Sequence, residues 1–264
     1  MGGRGSGSSL SASGSGTGGS LLNAQQNNTQ NIANQAPTPQ NTPVNPAGVT
    51  ALTQMTDDQL ANLVKQSRNV DMPNHLADVD DATQKFVYAA GLNGKPEVLD
   101  TAAFNKYLTD NGIPRSQILS RTVGDANYVV NGTNIKLSPA QINSMLRDSD
   151  LTYVGGKRGG QLYGAGTYFD MNGGGSTGYG YGSRAKATAI GVLSKSAKVI
   201  TDGALSSKAA QFRKTHPKTA AEIGGYSRRT MSIYALAMGY NVIKGGSYHN
   251  VIDRTALVLS DKDL

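Results

Sequence analysis

The pattern of apolar and polar positions divides the chain into three parts. Residues 1–20 are almost entirely Gly and Ser, and 23–45 are dominated by Asn, Gln, Pro and Thr. Neither stretch carries enough apolar surface to offset the entropy of ordering a chain, so 1–48 is expected to be a disordered low-complexity tail or tether. Helical spacing begins near Thr56. Thr56-Asp57-Asp58-Gln59 has the form of a capping box, with Leu60, Leu63 and Val64 as the apolar face behind it. Asp80 is placed to cap a second helix through Ala82, Phe86, Val87 and Ala90, ended by Gly91. Thr101 is placed to cap a third, with Ala103, Phe104, Tyr107 and Leu108 inward and Gly112 and Pro114 at its end. Residues 49–114 therefore read as a helical segment, either a small subdomain or a layer packed on the C-terminal domain.

From 115 the period changes. Residues 118–123 read as a strand, and Ser138-Pro139 opens a helix whose buried face is Ile142, Met145 and Leu146. Tyr168-Phe169, 187–193, 198–200 and 240–243 read as short strands. Residues 228–238 are helical, with Met231, Tyr234, Ala235 and Met238 on one side. Gly245-Gly246 makes a turn, and 251–252 and 255–259 close the chain as strands. Many short strands with a few helices point to an α+β domain over 115–264, not to a doubly wound sheet.

Composition removes several chemistries. The chain has no Cys, which excludes disulfides, thiolate metal sites and a cysteine nucleophile. Its three His are scattered, so no metal is expected. No apolar run approaches the ~20 residues that span a bilayer, and the N-terminus lacks a secretory pattern, so no membrane partner is expected. The formal charge of +7 is concentrated in 184–229, where ten Lys or Arg face Asp202 and Glu222. This stretch is either a solvated face or a surface for an acidic protein, for NAD phosphates or for nucleic acid.

The segment 155–182 is the most informative. Gly164-Ala165-Gly166-Thr167-Tyr168-Phe169-Asp170 is followed by Gly173-Gly174-Gly175-Ser176-Thr177-Gly178-Tyr179. Glycines let backbone approach a ligand closely, and tyrosines offer flat faces for stacking. The two readings are a pocket for a planar ligand and a surface loop that uses Tyr for packing. A phosphate-binding loop is excluded, because no Gly-Lys-Ser/Thr follows.

Gly164-Ala165-Gly166-Thr167-Tyr168-Phe169 resembles a segment of the ADP-ribosyltransferases of the diphtheria-toxin and poly(ADP-ribose) polymerase branch. The resemblance implies an α+β fold with a split β-sheet core over 115–264. It implies that Tyr168 and Tyr179, eleven residues apart, sandwich the nicotinamide of NAD. Arg121, in Leu-Ser-Arg-Thr-Val, takes the place of the family's first motif and would contact ribose or phosphate through its planar fork of donors. Backbone near Thr122, Gly164 and Gly166 would approach the ligand and read the carboxamide. The closing segment, 237–257, is similar to transferase-like domains of phage and prophage proteins, which implies a bacterial cytoplasmic or virion-associated setting.

The family's catalytic Glu, which holds the ribose and stabilises an oxocarbenium-like transition state, is missing from the late hairpin. By position Tyr248, His249 or Asn250 stands in its place. Asp253 is the carboxylate within the hairpin, while Glu97 and Glu222 lie outside it. The resemblance thus implies NAD-dependent transfer of ADP-ribose to a protein or other macromolecular target, with nicotinamide released. The alternative is an inactive transferase-fold module that serves as a phage structural or interaction protein. Charge alone suggests a third, a nucleic-acid binder.

Overall fold

The computed structural model describes residues 48–70, 81–124, 126–130, 133–148, 164–171 and 186–262. The expected tail (1–48, save Gly48), the Asp80 cap and Tyr179 lie outside them. Helices α1 (Val49–Leu52), α2 (Asp57–Ser67) and α3 (Asp81–Ala89) open the described chain. The capping box of α2 is formed as expected. The Thr56 hydroxyl accepts the Gln59 amide at 3.3 Å, and the Gln59 side chain accepts the Thr56 amide at 2.9 Å. Past α3 the chain turns at Gly91, with φ 65°.

Strand β1 (Glu97–Leu99) leads into α4 (Thr101–Asp110). The cap of α4 is Asp100, not Thr101: the Asp100 carboxylate accepts the Ala103 amide at 2.8 Å. A carboxylate at the positive end of the helix outcompetes the hydroxyl one residue on.

A 3-10 turn (Arg115–Gln117) enters β2 (Leu119–Gly124), followed by the hairpin β3 (Ala126–Val130) and β4 (Thr133–Leu137) and helix α5 (Pro139–Asp148). Ser138 caps α5 as expected, accepting the Gln141 amide at 3.3 Å. Then come β5 (Thr167–Met171), β6 (Lys186–Leu193) and β7 (Val199–Thr201). Helices α6 (Asp202–Thr215), α7 (Pro217–Ile223) and α8 (Met231–Ala237) follow. The chain ends with β8 (Val242–Gly245), β9 (Tyr248–Val251), a 3-10 turn (Arg254–Ala256) and β10 (Leu257–Ser260).

Eight strands form one mixed sheet in the order β1-β10-β6-β2-β5-β9-β8-β7, and β3-β4 stand apart as a two-stranded ribbon. The β1–β10 and β7–β8 pairs are parallel and the rest antiparallel. The class is α+β, as the pattern predicts.

Pairing fixes which side chains share a face, because successive residues of a strand alternate. One face carries Ile200 and Ile243, which pack with α1, α2, α3, α6 and α8 in a continuous core. Val192 and Val258, at the other end of that face, pack with Phe104 and Leu108 of α4. The opposite face gathers Leu119, Phe169, Ala189, Val242, Val251, Leu257 and Leu259, with Leu146 of α5. The segment 49–114 is thus a layer on the sheet, and it contributes the edge strand β1. Helix α8 departs from the one-sided pattern: all seven of its residues are buried, between the sheet and the helical layer.

The join between the layer and the rest is polar as well as apolar. Asp57, in the first turn of α2, accepts the backbone amides of Lys218 and Thr219 at 3.0 and 2.8 Å and the Thr219 hydroxyl at 2.7 Å. One helix thereby caps the start of another, satisfying amides that have no partner inside α7. Burial opposes the charge on Asp57. The Thr219 hydroxyl and the two amides outweigh it and hold the carboxyl below its ordinary range. Asp58 adds an exposed ion pair to Lys218 at 2.6 Å, and Arg68 pairs with Glu222 at 2.8 Å.

Asp57→Ala is expected to lower stability at neutral pH by about 1–2 kcal/mol in urea unfolding. Because the folded-state carboxyl titrates low, the contribution is present above the usual carboxylate range and is lost as pH falls through its folded value. The gap between the two proteins therefore narrows in acid. Equal stability at pH 7 would contradict this role.

Candidate functional site

The sheet parts between its two central strands. β2 pairs with β6 along all its residues, from Leu119↔Gly191 to Gly124↔Lys186. It pairs with β5 only at Leu119↔Met171 and Ser120↔Asp170. Beyond Ser120 the strands separate, and Arg121 reaches across, its Nη1 donating to the carbonyl of Tyr168 at 3.4 Å. The guanidinium gives that carbonyl a donor where the ladder has ended, which is what a partly buried backbone group requires. Arg121 and Tyr168 thus meet, although by register their side chains leave opposite faces of the sheet.

On the Tyr168 face, the row nearest the parting is polar. It runs Thr188 (β6), Thr122 (β2), Tyr168 (β5) and Asn250 (β9), with the two threonine hydroxyls 3.1 Å apart. The next row holds Ser120, Asp170 and Tyr248. Ser120 is buried and its hydroxyl has no hydrogen-bond partner among the described residues. These rows lie between the α4 core and the helical core on the same face.

The loop before β5 is held from three directions. Tyr168 Oη donates to the Gly164 carbonyl at 2.6 Å. Ser232 Oγ, from α8, donates to the Ala165 carbonyl at 2.6 Å. Asn250 Nδ2 donates to both carbonyls, at 3.2 and 3.3 Å. The two glycines are packing requirements. A Cβ on Gly164, which has φ 82°, would meet the Ser232 hydroxyl and come 2.6 Å from Met231 Cγ. A Cβ on Gly166 would meet the Asn250 side chain and come 2.9 Å from the Val251 carbonyl. Both residues are buried, so their lack of a side chain serves close packing of backbone on protein, where the sequence pattern assigns it to a ligand.

The three hairpin residues expected to replace the missing Glu separate. Tyr248 is half-buried on the Tyr168 face, directly across from Asp170. Asn250 is fully buried on that face and serves as the clamp just described. His249 points to the other face, across from Phe169 and Lys244, and is 6% exposed. It therefore does not share a surface with Tyr168. Its Nδ1 has no hydrogen-bond partner among the described residues. Burial, and then the nearby Lys244 charge, press its pKa down to about 4. At neutral pH it is an uncharged core residue.

The other acidic candidates are also placed. Asp253 is buried, and burial raises its pKa against the opposing Thr255, Asn241 and Arg254 interactions. Its carboxylate accepts the Thr255 amide and hydroxyl at 3.0 and 2.8 Å, capping the 3-10 turn. Glu222 is engaged with Arg68 on α7, and Glu97 is on the edge strand.

Sequence reasoning passes over Ser232 and Arg254. Arg254 is 1% exposed and donates to the Leu146 carbonyl in the last turn of α5 at 2.8 Å, a favourable end for a cation. Within the basic stretch 184–229 the chain forms β6 and β7 and then α6 and α7, with Lys208, Arg213 and Lys214 exposed and Lys218 ion-paired. A separate groove of about 250 Å³ lies on the helical layer, lined among others by Leu52, Phe212, Met238 and Tyr240. It shares no residue with the parting of β2 and β5. Among the described residues, no cluster of His, Asp or Glu could hold a metal ion, and no helix is long and apolar enough to cross a membrane.

Gly166→Ala is expected to destabilise the fold by about 1–3 kcal/mol, the cost of overpacking against a backbone carbonyl and a buried amide. A thermal melt unchanged by this substitution would contradict the packing described. His249 makes a separate prediction. Its folded pKa lies below the ordinary histidine value, so the unfolded chain takes up a proton that the folded chain resists. Stability is unaffected above about pH 6.5 and falls by on the order of 3 kcal/mol as pH drops toward 4. His249→Leu should lose much of this pH dependence in denaturant titrations at pH 7 and 4.5. An identical fall in both proteins would show that His249 is not its source.

No protein-family model, curated protein or solved structure matches this chain.

Proposed function

We propose that the chain is an NAD-dependent ADP-ribosyltransferase, binding NAD where β2 and β5 part and passing ADP-ribose to a protein or other macromolecular target. One observation carries the reading: Tyr168 stands at the parting, its hydroxyl tied to the Gly164 carbonyl and its backbone to Arg121. A tyrosine anchored at both its hydroxyl and its carbonyl presents a ring with little freedom left to lose, which suits stacking on a flat heterocycle. The Thr122–Thr188 hydroxyl pair beside it provides polar groups for a carboxamide or sugar hydroxyl. The split β-sheet of the transferases is the architecture this parting supports. In that reading Tyr179 supplies the second ring face, and Tyr248 borders the ribose.

A second reading has a specific observation in its favour. Positions 248–250 hold Tyr, His and Asn, with no carboxylate among them, and Asn250 is spent on the loop. An inactive module of this fold, serving as an interaction or virion protein, needs no more.

Calorimetry with NAD on the full chain and on Tyr168→Ala separates the two. The enzyme reading expects saturable binding that weakens at least about tenfold in the variant, the loss of one stacking partner. It also expects release of nicotinamide, followed by mass spectrometry. Absence of binding at millimolar NAD would favour the second reading, and binding unaffected by the substitution would remove Tyr168 from the site.

A further inference from the structure

The proposed transfer requires a negative charge beside the breaking bond, and the late hairpin does not provide it. We infer that Asp170 supplies that charge from the neighbouring strand, an inference that rests on the NAD reading above. Asp170 lies two residues beyond Tyr168 on the same face of β5, a separation of about 7 Å along the strand. It pairs across β9 with Tyr248, one of the positions from which the expected Glu is missing, and across β2 with Ser120.

The surroundings suit a carboxylate kept for a ligand. Asp170 is half-buried, and no side-chain hydrogen bond or ion pair engages its carboxylate among the described residues. Ser120, its partner across β2, is buried with its own hydroxyl unpartnered among those residues. Other carboxylates are ruled out by position or by use. Asp253 is committed to Thr255, Glu222 to Arg68, and Glu97 stands on the far edge of the sheet. Direction along β5 is also set. On the N-terminal side of Tyr168 the space is filled by the Gly164–Gly166 loop, Ser232 and Asn250. A ring stacked on Tyr168 can extend its ribose only the other way, toward Ser120 and Asp170.

The chemistry is electrostatic. The bond between ribose C1′ and the nicotinamide nitrogen breaks, and its electron pair goes to that nitrogen, cancelling the charge on the ring. Positive charge develops at C1′ and its ring oxygen, and the Asp170 carboxylate stabilises it. The acceptor nucleophile then bonds to C1′ and gives its proton to solvent. Asp170 forms no covalent bond and needs no co-reactant.

The test is Asp170→Asn in the full chain, with NAD affinity by calorimetry and nicotinamide release measured separately. The expected result is affinity within about threefold of the unmodified chain, and release slower by about 100-fold or more. The loss should fall on kcat with KM nearly unchanged. If the Asn variant does not fold, Asp170→Glu and Asp170→Gln carry the comparison, being equal in size and different in charge. The Glu variant should release nicotinamide at least tenfold faster than the Gln variant. Release that is unaffected by Asn, or equal in Glu and Gln, overturns Asp170 while NAD binding stands. An unmodified chain that binds NAD without cleaving it also overturns Asp170. An unmodified chain that binds no NAD fails the underlying reading, and Asp170 falls with it.

Discussion

The Asn250 amide holds the molecule's central arrangement together. It stands on β9 opposite Tyr168, fully buried, and donates to two successive carbonyls of the loop that leads into β5. Ser232 donates to one of those carbonyls and the Tyr168 hydroxyl to the other. The two carbonyls are buried and would be costly to leave unpaired. Satisfying both from three different elements fixes the loop, β5, β9 and α8 relative to one another. Glycine at 164 and 166 follows from this, because the loop lies too close to Ser232 and Asn250 for a side chain. The orientation of the Tyr168 ring follows as well.

The sheet divides its labour between faces. One face meets α5 and is mostly apolar, with Arg121, Thr167, Lys244 and His249 as polar members. Two of these have a direct physical account: Arg121 donates to a strand-edge carbonyl, and His249 is kept neutral by burial. The other face is covered at both ends by helices, and its middle is a strip of hydroxyls, an amide, a carboxylate and tyrosines. Polar side chains in the centre of a sheet, between two apolar cores, are costly unless they have work to do. That contrast is the physical basis for reading this strip as a binding surface.

Much of the fold is legible in the sequence because its signals are local. The Thr56 box, the Ser138-Pro139 opening and the turns after α3 and at Gly246 require only neighbouring residues. The elements that sequence reasoning misses or shifts depend on distant ones. β1 is three residues long and exists because β10 offers it an edge. α8 looks one-sided in sequence because its second partner, the helical layer, is remote along the chain. The glycines of 164–166 read as room for a ligand, because nothing local reveals that Asn250 and Ser232 fill that room. The hairpin is different. Three successive residues of a strand cannot share one face, so alternation alone separates His249 from Tyr248 and Asn250. Asp170 is visible in Tyr-Phe-Asp, but its significance depends on β5 pairing with β9, a contact across about eighty residues.

The central claim is that the parting of β2 and β5 receives a flat, positively charged ring and its sugar. A crystal structure of the full chain grown with NAD addresses it most directly. The account predicts nicotinamide stacked on Tyr168, with the attached ribose running along β5 toward Asp170. Nicotinamide seated in the groove by Phe212 and Tyr240, or ribose directed at the opposite face near His249, would contradict it.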